Sequence, residues 1–150
     1  MPKPFNILIA EDDPNDLELL TVALRGKLEP SQIRTVHDGE ELLQYVRGEG
    51  RFHNRQQHPT PDLILLDLKM PRIDGLEALA SLRRENGAGA IPIVMLSGSA
   101  LDSDIRQAYR LGVNTYFTKP PDFEGLRDLV RKVLDYWLLS QQPAAPAQPR

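Results

Sequence analysis

Cysteine is missing from this 150-residue chain, and with it go disulfides, thiol nucleophiles and zinc sites built on cysteine. Runs of one charge sign are scarce as well. The 18 Lys and Arg are interspersed with 21 Asp and Glu for a formal net charge of −3, so the continuous basic patch that a nucleic-acid partner would need is absent. No apolar run approaches the roughly 20 residues of a membrane span, and the opening Met1-Pro2-Lys3-Pro4 lacks the apolar stretch of a signal peptide. A membrane is therefore not an expected partner, and the cytoplasm is the expected compartment. What remains is a 41% hydrophobic sequence whose length suits one ordinary domain with its own core and leaves no room for a second.

Its apolar residues form strand-like runs that alternate with helix-period segments five times. Residues 5–10 precede Leu17, Leu20, Thr21 and Leu24, a stripe at helical spacing. Residues 32–36 make a weaker second strand, after which Asp38 offers an N-cap and Glu41 the other half of a capping box for a helix through Leu42, Leu43 and Val46. Residues 63–68 are nearly all apolar, as a strand covered on both faces should be. Leu76, Leu79, Ala80 and Leu82 mark the next helix, which should end near Asn86-Gly87. Residues 93–96 form a fourth strand, followed by a helix through Ile105, Ala108, Tyr109 and Leu111 that Gly112 closes. Residues 115–118 form the fifth. The last helix, 122–139, carries Leu126, Leu129, Val130, Val133, Leu134 and Trp137 on one side.

Strict alternation with right-handed crossovers gives an α/β fold, a parallel sheet with helices on both faces. Five units suit the doubly wound, flavodoxin-like order 2-1-3-4-5, in which strands one and three are neighbours and ligands bind at their carboxyl edge. Two segments stand outside the pattern. Residues 48–61 are long for a helix-to-strand connection, which usually takes about 2–6 residues, and are either a partner surface or a tolerated insertion. Residues 140–150, rich in Pro, Ala and Gln, should be a disordered tail to a domain spanning 1–139.

The chemistry sits at the strand ends. Glu11, Asp12 and Asp13 follow the first run and Asp67 follows the third. If these strands are neighbours, their carboxylates meet, repel, and call for a hard divalent cation with oxygen ligands. A carboxylate can attack phosphorus when the transferred group is held and its charge neutralised. Lys119 after the fifth strand offers a point charge, and Ser97 after the fourth a hydroxyl. Asp13 is better read as a cap for the segment from Pro14.

Ile9-Ala10-Glu11-Asp12-Asp13, Leu65-Leu66-Asp67-Leu68-Lys69-Met70-Pro71-Arg72-Ile73-Asp74-Gly75, Leu96-Ser97-Gly98 and Tyr116-Phe117-Thr118-Lys119-Pro120, in that order and spacing, resemble the motif set of two-component response regulator receiver domains over about residues 5–139. The resemblance implies that Asp67 is the phosphoacceptor. It implies Mg2+ bound by Asp12 and Asp67, by the backbone carbonyl of Lys69, and by Glu11 through water. Ser97 and Lys119 would bind the phosphoryl group, and Tyr116 would be the aromatic switch that follows the Ser97 hydroxyl. The implied partner is a sensor histidine kinase, docking on Pro14, Asn15, Leu17, Thr21, Pro121 and Asp122. Receivers often have a cis bond at the position of Lys119–Pro120; the sequence leaves this open, and Pro121 departs from the usual apolar residue. The loop 48–61 and the aromatic end of the last helix resemble single-domain regulators paired with phytochrome kinases.

Receivers that regulate genes carry a DNA-binding domain after the fifth helix. No such domain is expected within these 150 residues, so the expected output is protein–protein contact driven by phosphorylation. Tyr136 and Leu139 lie off the core stripe and, with Trp137, suggest a homodimer surface on the last helix. His37, His53 and His58 lack ligand spacing and read as solvated. Two other functions compete with the signalling switch. A magnesium-dependent aspartyl-phosphate phosphohydrolase commonly has a second carboxylate two residues after the nucleophile, where this chain has Lys69. A chemically inactive interaction module would not need the full residue set.

Overall fold

The computed structural model describes residues 3–85 and 89–140. The apolar runs become strands β1 (Ile7–Ala10), β2 (Ile33–Val36), β3 (Leu63–Leu66), β4 (Ile93–Ser97) and β5 (Thr115–Thr118). Each is followed by its helix: α1 (Pro14–Leu24), α2 (Gly39–Arg47), α3 (Gly75–Arg84), α4 (Asp102–Arg110) and α5 (Phe123–Leu139). All pairings are parallel and the order is β2-β1-β3-β4-β5, as the alternation of the sequence implies. Helix α3 stops at Arg84; Asn86-Gly87 and all of the expected tail beyond Ser140 lie outside the described residues.

Strand periodicity divides the core between the two faces of the sheet. Ile7 and Ile9 point with Leu63 and Leu65 toward Leu20, Ala23 and Leu24 of α1 and Leu126, Val130 and Leu134 of α5. Leu8 and Ala10 point with Ile64 and Leu66 the other way, toward Leu42 and Val46 of α2, Ala78 and Leu79 of α3 and Ala108 of α4. Because the chain leaves β1 toward one face and β3 toward the other, a crevice opens at their carboxyl ends. Register then fixes who meets there: Ala10 pairs with Leu66, so the residues just beyond them, Glu11 and Asp67, are neighbours by construction.

Aspartates start most of the helices at this same edge. Asp13, Asp38, Asp74 and Asp122 are N-caps whose carboxylates accept backbone N–H bonds from the first turns of α1, α2, α3 and α5, each worth about 1 kcal/mol. Asp13 is thus a cap, as its position before Pro14 suggests. At α2 the capping box is offset: Asp38 accepts from the Glu41 N–H at 2.7 Å, but the Glu41 carboxylate reaches the N–H of His37, not that of Asp38. Glycine is required where the β3–α3 connection closes on the site, since a Cβ on Gly75 would lie 2.2 Å from the backbone carbonyl oxygen of Asp67.

The long segment 48–61 is stitched onto α2. Phe52 is buried and lies 5.0 Å from the Tyr45 ring, and the Tyr45 hydroxyl donates to the Pro59 carbonyl at 3.0 Å. The Arg55 guanidinium donates to the carbonyls of Tyr45 at 2.7 Å, Val46 at 2.5 Å and His58 at 3.2 Å, satisfying the open end of the helix. His58 corrects the sequence reading. It is half-buried rather than solvated, packed edge-on against Tyr45 and Phe52, and burial lowers its pKa.

Candidate functional site

Backbone pairing continues past the strands and fixes the site residues. The N–H of Glu11 donates to the Val36 carbonyl at 3.1 Å, that of Asp67 to Ala10 at 3.0 Å, and that of Lys119 to Ser97 at 2.7 Å. One residue beyond the sheet, then, the backbone is still held like a strand while the side chains emerge at its edge. Carboxylate oxygens of Glu11, Asp12 and Asp67 come within 4.8 Å of one another. Glu11 and Asp67 are buried and Asp12 is exposed, so the group is open on one side.

Electrostatic conflict is concentrated in this cluster. Burial, and after it the charge of Asp67, pushes the Glu11 carboxyl up to about 8 despite the opposing pull of Lys119. Burial also raises Asp67, against the favourable charge of Lys119. All the donors are hard oxygens, the cluster carries excess negative charge, and one ligand faces solvent. A divalent cation suits this arrangement, which fits Glu11, Asp12 and Asp67 as ligands for such an ion. Lys69 lines both the recess that contains Asp12 and the cavity that contains Asp67.

That cavity, of about 530 Å³, is lined by Asp67, Ser97, Lys119, Lys69 and the segment from Gly98 to Leu101. A Cβ placed on Gly98 would meet nothing within 4 Å, so the mouth is clear beside Ser97. The carboxylate, hydroxyl and ammonium named from three separate motifs therefore face one space. All peptide bonds among the described residues are trans, Lys119–Pro120 included, in keeping with the preference of about 0.5–1 kcal/mol that X-Pro bonds retain for trans.

Tyr116 is buried, with its hydroxyl donating to the Ser99 carbonyl at 2.8 Å. The Ser99 N–H in turn reaches the Ser97 hydroxyl at 3.2 Å, and the Ser99 hydroxyl donates to Asp104 at 2.6 Å. A chain of hydrogen bonds thus runs from Ser97 through Ser99 to the ring of Tyr116. On the open edge of β5, the Tyr116 N–H donates to the Tyr109 hydroxyl at 3.0 Å, which ties α4 to the strand.

The remaining sequence-named residues divide. Pro14, Leu17 and Thr21 line one groove with Asp12 and His37, Asn15 is exposed beside them, and Pro121 and Asp122 are exposed at the β5–α5 turn. Asp122 also has a structural duty as the α5 cap. Tyr136 and Leu139 are exposed, but Trp137 packs inward against the core, as helical spacing with Val130 and Val133 demands. Two residues went unnamed from the sequence: Ser99, the bridge to Tyr116, and Asp16. The Asp16 carboxylate receives the Lys119 ammonium at 2.8 Å, closer than Glu11 at 3.2 Å or Asp67 at 3.9 Å. The sole hint in the sequence is its place in the first turn of the helix that leaves the acidic pair.

A family model described as "Response regulator receiver domain" matches residues 7–131. The chain is 35% identical to "Probable methanogenesis regulatory protein FilR2" of Methanothrix harundinacea over 96% of its length and 90% of that protein's. It is 32% identical to "Response regulator Rcp1" of Synechocystis over 90% of each chain, and superposes on the Mn2+-bound form of Rcp1 with a TM-score of 0.81 over 94% of this chain and 100% of that one. The crystal structure of "the Phosphorylated Cyanobacterial Phytochrome Response Regulator RcpA" matches at 36% identity and a TM-score of 0.88, covering 95% of this chain and 100% of that one.

Proposed function

Because the chain belongs to the response regulator receiver domain family, we propose that Asp67 is its phosphoacceptor and that residues 1–139 act as a signalling switch phosphorylated by a sensor histidine kinase. The observation that carries this reading is the convergence of Asp67, Ser97 and Lys119 on one open cavity. An Asp67 carboxylate oxygen attacks the phosphorus of a phosphohistidine; the new O–P bond forms as the P–N bond breaks, and the histidine imidazole leaves with the bonding pair. Lys119 neutralises charge on the phosphoryl oxygens and the Ser97 hydroxyl donates to one of them. Asp12, Asp67 and the Lys69 carbonyl would hold Mg2+, with Glu11 acting through water, and the ion when bound supplies charge neutralisation beside the reacting oxygens. Similarity to Rcp1, which has an Mn2+-bound form, supports a divalent cation as a ligand of this chain.

Phosphorylation at Asp67 would draw the Ser97 hydroxyl toward the new oxygens, and the Ser99 bridge would pass that movement to Tyr116 on the face formed by α4, β5 and α5. A kinase would dock on the α1 groove and the adjacent Pro121-Asp122 turn. Similarity to RcpA, a phytochrome response regulator, supports a phytochrome-type kinase as the donor, and the cytoplasm is the compartment proposed for the exchange. Exposed Tyr136, Leu138 and Leu139 at the end of α5 support homodimer formation there. Lys69 stands where a hydrolase would place its second carboxylate, so water attack on the acyl phosphate should be slow.

Incubation with Mg2+ and a small phosphodonor, in the native chain and in Asp67→Asn, tests the reading. An Asp67-dependent, slowly decaying acyl phosphate is expected. Rapid multiple turnover would make the protein a phosphohydrolase, and no Asp67-dependent label would leave a bare interaction module.

A further inference from the structure

The Lys119 ammonium, on whose contact with a phosphoryl group at Asp67 the proposed function relies, is committed elsewhere. Of its three N–H donors, one is given to Asp16 at 2.8 Å and one to Glu11 at 3.2 Å, whereas the Asp67 oxygen, at 3.9 Å, lies within ion-pair range but beyond hydrogen-bond reach. Asp16 belongs to neither the acidic metal cluster nor the cavity lining. It is delivered by the first turn of α1, where the Asp13 cap also accepts its backbone N–H at 3.4 Å. Glu11 is enclosed and fixed by the strand backbone, but the Asp16 side chain is about one-third exposed (37%), so it is the partner Lys119 can leave at least cost.

We propose that Asp16 is a positioning residue that holds Lys119 away from Asp67 in the resting protein and thereby sets how readily the site accepts a phosphoryl group. The two carboxylates compete for one ammonium. A phosphoryl group on Asp67 adds charge on the Asp67 side and wins Lys119 across; until then the Asp16 contact opposes the active arrangement. Binding at Asp67 therefore carries the free energy of breaking the Asp16 contact, and removing that contact should tighten it roughly twofold to fivefold, as expected of a partly exposed ion pair.

Beryllium fluoride with Mg2+, a phosphoryl mimic, provides the probe. Its affinity is measured on the full chain for the native protein, Asp16→Asn, Lys119→Gln and the double variant, with Glu18→Gln as a control that removes a nearby charge without touching Lys119. The proposal expects tighter binding in Asp16→Asn, no such gain in the Lys119→Gln background, and native affinity in Glu18→Gln. It also expects the Lys119 Cε resonance of ligand-free Asp16→Asn to move toward its position in the complex, a readout that holds even if Lys119→Gln binds too weakly to measure. An equal gain with and without Lys119, an equal gain from Glu18→Gln, or an unmoved Lys119 resonance would overturn it. Native protein that binds the mimic through Asp67 while Asp16→Asn changes nothing removes this inference alone. Native protein showing no Asp67-dependent binding removes the phosphoacceptor reading, and the inference with it.

Discussion

Glu11 has an ordinary carboxyl pKa in the unfolded chain and one raised to about 8 in the fold. Between those values the folded protein binds a proton that the unfolded chain has released, so stability without metal should fall as pH rises through that window. Asp67, raised in the same direction, adds to the slope. A bound cation removes the repulsion, so the gain in Tm on adding Mg2+ should be larger at about pH 8 than at about pH 5.5. Calorimetry at the two pH values, with and without Mg2+, checks this; an equal gain at both would contradict it. Asp12→Asn should weaken Mg2+ binding by about tenfold or more in the same experiment. The gathering of Glu11, Asp12, Asp67, Ser97 and Lys119 at one sheet edge was legible in the sequence because each lies at, or within two residues of, the end of an apolar strand run. Asp16 was not: its contact with Lys119 joins residues 103 apart, and no local spacing signals a side chain's choice among several carboxylates.

The regular elements show the same division between local and long-range information. Strands β3 and β4 stand out as buried apolar runs, and the stripe Leu126-Val130-Val133 announces α5, because periodicity reports burial wherever an element repeats. Segment 48–61 has no repeat to read. A single Phe52 in a polar stretch gives no hint that it fills a pocket beside Tyr45, and Arg55 gives none that it closes the end of α2. Both the length of the segment and the burial of Phe52 are explained once it is seen as a cover for α2. Phe52→Ala should cost about 3–5 kcal/mol, measured by chemical denaturation, whereas a loop held only by its ends would lose far less.

At the scale of the whole molecule, β1 and β3 bring the acids together, β4 and β5 bring Ser97 and Lys119, the pair proposed to bind the phosphoryl group, and Ser99 links Ser97 to Tyr116 and the α4–β5 side. The exposed apolar end of α5 lies on the helix that follows that strand. Light scattering at high micromolar concentration should show a dimer that Tyr136→Lys with Leu139→Lys converts to monomer; a monomeric native protein, with and without phosphorylation, would refute the α5 surface. The central claim is that the crevice between β1 and β3 makes Asp67 a nucleophile toward phosphorus. Its most direct test is peptide mapping by mass spectrometry after reaction with a small phosphodonor. A phosphoryl group found on Asp67, dependent on a divalent cation and absent from Asp67→Asn, is the predicted result; equal labelling of Asp67→Asn, or label confined to another residue, would contradict it.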